Sequence, residues 1–366
     1  MSRRAVLAGL VGALLVGTVT VVMTTRGQGA RPLVARSRGA VPGVSAGSTP
    51  STILKAPVAG LLTRDGPPDE ALAPAVSGWV VNADWSDLQP TAGGPLAAGN
   101  VIDRAVTESR RLSPAGVTAA LEIRLFAGIH APDWAKSLGG PPVSVKDPQS
   151  GRGGTAGRFW TPEFGQAYAR LQEQLAAAYD AVPEIREVTA ARCTTVFSEP
   201  FIRDARDPAT VSALLGAGFT PDADARCQRE QIDAHDVWRQ TRTTVAFNPY
   251  DRLEPNGTAT PDLDFSRQMM AYCRERLKDR CVLENNSVRW PLPGDGALYA
   301  ALASFGPPLA FQTATQQRVG DLAGAIRYCI SLGAGSVELP EGADLPVSDL
   351  LSLSDGLRAN AARPPG

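Results

Sequence analysis

The sequence predicts an α/β chain folded as a single (β/α)8 TIM barrel. Three observations carry this. Eight short apolar, strand-like runs alternate with helical patterns or long loops, which implies a parallel sheet. Eight such units match a closed barrel. No Gly-x-Gly-x-x-Gly follows an early strand and no phosphate loop is present, which counts against the alternative, a doubly wound open sheet.

The elements read in order as follows. Val58–Thr63 is a short apolar run, and Val76–Asn82 a stronger strand that leads into Ala-Asp-Trp-Ser-Asp-Leu-Gln-Pro90. Asn100 caps a helix whose Val101, Ile102, Ala105 and Val106 have helical spacing. Val117–Ala127 reads as a buried strand followed by the loop Gly128–Trp134. Thr161-Pro162-Glu163 starts a helix with one apolar stripe, Phe164, Tyr168, Leu171, Leu175 and Tyr179. Glu187–Phe197 is the fourth strand, expected to stop at Ser198-Glu199-Pro200 because proline cannot continue a central strand. A polar excursion, Ile202–Gln228, holds a short helix at Pro208–Leu215, and Gln231–Gln240 looks helical. Thr243–Phe247, Cys281–Leu283, Pro308–Phe311 and Ser336–Leu339 supply the last strands. Helices are expected at Phe265–Leu277, Gly296–Ser304 and Asp321–Leu332.

The ends differ from this body. Ala5–Met23 carries no charge and follows Arg3-Arg4, so residues 1–26 read as a signal peptide or a membrane anchor. Residues 27–56, rich in Gly, Ser, Pro, Ala and Arg, read as a flexible linker. The barrel domain is expected over 57–355, with a frayed tail over 356–366. From Asp65 onward there are 28 basic against 37 acidic residues, a net charge of −9, which argues against nucleic-acid binding. In an exported chain the five cysteines can oxidise. Cys273 and Cys281 bracket a helix end and the next strand. Cys193 and Cys227 could tie the segment after Glu199 to the strand before it, and Cys329 falls on the apolar face of a helix as a buried thiol. Two histidines and no Cys-x-x-Cys leave neither a metal site nor a cofactor to expect.

A carboxylate at the C-terminal end of a barrel strand stands where such barrels do chemistry. Glu199 is the first candidate, Glu338 and Glu284 the second and third. Two of them have a plainer reading, a loop carboxylate for Glu199 and an arginine partner near the rim for Glu338. Arg124 interrupts an apolar strand and requires a partner, with Glu199 or Glu122 in reach if it faces the interior. Trp85, His130, Trp134, Asn248, Tyr250, Asn285 and Gln312 follow strands and could bind substrate. For the aromatics the alternative is core packing, and it is preferred for Trp238.

In this order the motifs resemble those of the large clan of retaining glycoside hydrolases built on (β/α)8 barrels. Trp85-x-x-Leu88-x-Pro90 follows an early strand, Pro132-x-Trp134 follows the next, and Ser198-Glu199-Pro200 follows the fourth. The composition also resembles that of exported proteins of high-GC Gram-positive bacteria. The resemblance implies a carbohydrate substrate outside the cell, Glu199 as general acid/base and a second carboxylate after strand seven. There the chain has Gln312, which cannot be a nucleophile. Either Glu338 or Glu284 replaces it, or the protein is a non-catalytic carbohydrate-binding or cell-envelope barrel.

Overall fold

The computed structural model describes residues 53–113, 119–200, 205–294 and 296–363. The N-terminal segment read as signal or anchor, and the linker up to residue 52, lie outside them. Among the described residues no helix is long and apolar enough to cross a membrane.

The chain is a (β/α)8 barrel. Eight strands, β1 (Gly60–Thr63), β2 (Val76–Asp84), β3 (Ala120–Phe126), β4 (Ile185–Thr189), β5 (Arg242–Ala246), β6 (Cys281–Val288), β7 (Leu309–Thr313) and β8 (Ser336–Glu338), pair in sequence order, all parallel. β1 closes the ring on β8, Leu62 opposite Glu338. β1 returns to β2 through turns, and helices follow every later strand: α1 (Val101–Leu112), α2 (Pro162–Tyr179), α3 (Pro221–Ala234), α4 (Leu263–Leu277), α5 (Ala297–Ser304), α6 (Leu322–Ser331) and α7 (Val347–Ala361). All eight strands fall within or beside the runs read from the sequence.

Strand alternation explains the core. Leu121, Ile123 and Leu125 of β3 point outward and pack with α1 and α2 residues such as Ile102 and Leu171. Leu61, Leu283, Phe311 and Val337 do the same toward the later helices. The inward positions are unlike them. Val58, Leu62, Val80 and Ala120 form a small apolar cluster. Glu187 stands beside it, accepting from the Val58 amide at 3.2 Å, and beyond it stand Glu122, Arg124, Glu284 and Glu338, all buried.

Five readings need correction. The fourth strand ends at Thr189, not Phe197. Ala190 makes the last sheet bond, to Thr244. After it, side chains claim the backbone: the Ala191 amide donates to the Tyr168 hydroxyl at 3.0 Å and the Cys193 amide to Gln231 at 3.2 Å. The turn after β3 approaches this stretch so closely that a Cβ on Gly128, whose φ is +24°, would meet Thr195 O at 1.9 Å. β6 runs on to Val288, so Glu284, Asn285 and Asn286 lie within the strand rather than at its end. The polar excursion contains most of α3, whose start is the Thr220 cap and Pro221. The tail does not fray at 356: α7 continues to Ala361, with Leu357 and Asn360 buried. At the other end, the Lys55 ammonium donates to Val182 O, Ile185 O and Thr241 Oγ1 at 2.7–2.8 Å, so the barrel begins before residue 57.

The disulfides Cys193–Cys227 and Cys273–Cys281 are formed, and Cys329 is a buried free thiol.

Candidate functional site

The inward charges meet at the C-terminal half of the barrel. Glu338 accepts from three side chains: Arg64 Nε at 2.5 Å, Gln312 Nε2 at 2.8 Å, and the Arg124 guanidinium on its other oxygen. Arg124 thus faces the interior, where its close partner is Glu338 across the barrel and Glu122, at 4.0 Å, is a second one. Burial alone would raise the Glu338 carboxyl, yet Arg124 and Arg64 outweigh it and hold it below the usual range. Glu284 behaves oppositely. Burial pushes it up to about 8; Arg124 opposes this, and the charges of Glu338, Glu187 and Glu199 add to it. Burial also raises Glu122, helped most by the charge of Glu284. The interior therefore holds one carboxylate pushed toward its ionised form beside carboxyls pushed toward their protonated forms.

Glu199 reaches this region differently from the expectation. It stands ten residues beyond the end of β4, on the loop held by Cys193–Cys227, and is 7% exposed. The Asn248 amide, just past β5, donates to it at 3.5 Å. Asn248 Oδ1 in turn accepts from Asn285 Nδ2 at 3.2 Å and from the Asn286 backbone at 3.0 Å. These bonds fix which way the Asn285 amide points, because its nitrogen also donates to Phe247 O at 2.7 Å. The structure therefore joins Glu199, Asn248 and Asn285 in one network, and Arg124, Gln312 and Glu338 in another. Glu284 feels the charges of both.

A cavity of about 490 Å³ opens over the C-terminal ends of β5 and β6. Asn248, Tyr250, Asn285, Asn286, Arg289 and Tyr299 line it; Glu199, Glu284 and Glu338 do not. The wall is shaped by an irregularity in β6. The pairing with β7 shifts register between Asn286 and Val288, and Ser287 between them has φ +75°. Bulges of this kind re-aim side chains and are common beside functional sites. Among the described residues, Asn285 Oδ1 and Asn286 Oδ1, buried at this wall, have no hydrogen-bond partner. The Tyr250 hydroxyl donates to Asp224 at 2.9 Å, which holds its ring against the cavity.

Neither Trp85 nor Trp134 lines this cavity. Trp85 is fully buried, edge-on to Trp134, Phe164 and Tyr168, with its indole N–H on Gln89. Trp134 packs on Trp85 and donates to Gln89 O. The Trp85–Pro90 and Pro132–Trp134 motifs are thus packing devices at the first loops: Trp85 and Leu88 sit in the core. Trp238 is core, as preferred. His130 pairs its Nδ1 with Asp84 at 2.9 Å at the ends of β2 and β3, across the barrel from the cavity. Arg64, Tyr299 and Arg289 went unnoticed. Tyr299 opens a helix, and Arg289 follows the bulge one position past β6, a position detectable only once the strand is known to run to Val288. Among the described residues no cluster of His, Cys, Asp or Glu is placed to hold a metal ion.

No family model matches the chain, and no curated protein does. Among solved structures, endo-glycoceramidase II from Rhodococcus sp. is 15% identical over 82% of this chain and 80% of its own, with TM-score 0.45. The cold-adapted β-galactosidase from Rahnella sp. R3 is 13% identical over 83% of this chain and 56% of its own, TM-score 0.48. The β-galactosidase from the psychrophilic Marinomonas ef1 is 12% identical over 84% and 62%, TM-score 0.37. These neighbours are glycoside hydrolases, and the likeness is one of fold.

Proposed function

We propose that this protein binds a carbohydrate at the C-terminal mouth of its barrel, in the cavity over β5 and β6, without cleaving it by the usual two-carboxylate route. One observation carries the reading: asparagine amides and tyrosines line the cavity together with arginines and aspartates, while the candidate carboxylates Glu199, Glu284 and Glu338 do not line it. Asparagine amides match sugar hydroxyls, and the rings of Tyr250 and Tyr299 offer faces to sugar C–H groups. At the position where the resemblance implies a nucleophile stands Gln312, and the neighbouring Glu338 is held by Arg64, Arg124 and Gln312. Both of its oxygens are occupied, which leaves little freedom for attack on a sugar carbon. The two disulfides are consistent with a protein outside the cytoplasm, and an exported, tethered or secreted barrel acting on an extracellular glycan is the setting that we infer.

Calorimetric titration of the protein with a panel of oligosaccharides tests this. Binding that is lost in Tyr299→Ala, with no release of reducing ends, is the expected result. No binding across the panel would sink it.

A second reading, glycoside hydrolysis, is favoured by the opposite directions in which Glu284 and Glu338 are shifted. Two carboxyls pushed apart in this way are the signature of an acid and its partner. Release of reducing ends by the wild type, abolished in Glu284→Gln or Glu199→Gln, would select it.

A further inference from the structure

About half of the described arginines of this barrel have a carboxylate within 4.0 Å. Arg64 and Arg124 meet Glu338, Arg110 meets Glu184, Arg192 meets Glu230, and Arg276 and Arg280 meet Asp236. Of the described arginines with no carboxylate that close, three share one place. Arg206, from the segment before the Pro208–Gly216 helix, Arg289, just after β6, and Arg318, after β7, all line the cavity over β5 and β6. Among the described residues none of the three has a carboxylate within 4.0 Å. Among those residues Arg318 makes one hydrogen bond, to the Gln149 amide oxygen at 3.5 Å, and Arg289 Nε is buried with no hydrogen-bond partner.

The described carboxylates of the same wall, Asp147, Asp251 and Asp262, hold other partners or stand beyond ion-pairing distance of these arginines. Asp262 accepts the Phe265 amide at 2.8 Å as the cap of α4, and Asp147 accepts the Ser150 amide and hydroxyl at 2.8 and 2.6 Å. Asp251 remains, and as an acceptor it suits a hydroxyl. A partly buried guanidinium is costly unless it is paired, and its planar fork fits the two oxygens of a carboxylate, sulfate or phosphate. The amide groups beside it suit neutral hydroxyls. The wall thus asks for two chemistries in one ligand.

We propose that this cavity takes a carbohydrate bearing an anionic substituent, a uronate carboxylate or a sulfate or phosphate ester, seated by Arg206, Arg289 and Arg318. The inference rests on the carbohydrate reading above and specifies it. The anionic group meets the guanidinium side of the cavity; the remaining hydroxyls meet Asn286, Asn248 and Asp251.

The test is a titration of the protein with four probes: tri-galacturonic acid, its methyl ester, a sulfated trisaccharide and sodium sulfate. The ester keeps the sugar and removes the charge. The expected result is that the acid or the sulfated sugar binds at least tenfold tighter than the ester, weakens as salt is raised, and loses that advantage in the Arg206→Gln/Arg318→Gln protein. Both residues are exposed, so the fold should tolerate the change. Ester and acid binding equally would overturn the inference and leave the carbohydrate reading standing. Sodium sulfate binding as tightly as the charged sugars would overturn it too, because the sugar would then contribute nothing. If no sugar binds, charged or neutral, the carbohydrate reading itself fails.

Discussion

Gln312 and Glu338 stand opposite each other on neighbouring strands, and the Gln312 amide donates to the Glu338 carboxylate at 2.8 Å. The residue in the expected nucleophile position thus helps to immobilise the nearest carboxylate that could have replaced it. With Arg64 and Arg124 on the same group, Glu338 acts in the first place as the counter-charge of the barrel interior.

Replacing it should therefore damage the fold. Glu338→Gln leaves Arg124 buried without its ion-pair partner, and breaking a buried pair from one side costs about 3–5 kcal/mol. Chemical denaturation should show a loss of that size. A loss under about 1 kcal/mol would mean that Arg124 finds another partner.

The acidity of the interior sets a pH dependence. Glu284 titrates near 8 in the folded chain, above its ordinary value of 4.5. Between those values the unfolded chain has released this proton and the folded chain still holds it. Stability from this group is complete below about 4.5 and is lost as pH rises through about 8, with a slope of at most about 1.4 kcal/mol per pH unit. Raised Glu122 and Glu187 act in the same direction, and the lowered Glu338 acts oppositely at acid pH. Denaturation midpoints followed from pH 5 to 8 should fall, and Glu284→Gln should flatten the fall. An unchanged slope in that variant would place the proton elsewhere.

These two groups show what the sequence could reveal and what it could not. The strands were readable because each outward face is apolar, and Glu338 and Arg124 were visible as charges inside apolar runs. Which charges meet depends on register across a closed ring, and no local pattern reports that Arg124 spans to β8. The end of β4 was misread because Ala190–Phe197 has strand composition, while Tyr168, Gln231 and the Cys193–Cys227 bridge take its backbone away from the sheet. The tryptophans had the right positions for a mouth, but Trp85 meets Phe164 and Tyr168 of α2, a contact that only packing creates.

The N-terminal boundary offers a third prediction. A chain starting at Pro57 loses Lys55, whose ammonium satisfies two carbonyls and one hydroxyl at the N-terminal end of β4 and β5. A chain starting at Ile53 should melt like the full protein, and Lys55→Ala should cost about 1–3 kcal/mol, the desolvation of the acceptors left behind. Equal melting of the two truncated chains would show that those contacts contribute nothing.

Opening the Cys193–Cys227 bridge should loosen the Glu199 loop. The bridge spans 34 residues, and removing it by Cys193→Ser/Cys227→Ser should cost about 2–4 kcal/mol. Faster proteolysis within residues 190–230, with the rest of the barrel protected, is the expected sign. Peptide mapping without reduction should recover both bridges, and Cys329 should resist a thiol reagent until the protein unfolds.

The most direct measurement is a crystal structure of the protein with a bound oligosaccharide. The account predicts the sugar over β5 and β6, within hydrogen-bond distance of Asn286 and against Tyr299, with its glycosidic bonds intact. A sugar seated on the barrel axis against Glu338 and Glu284, or found cleaved there, would contradict it.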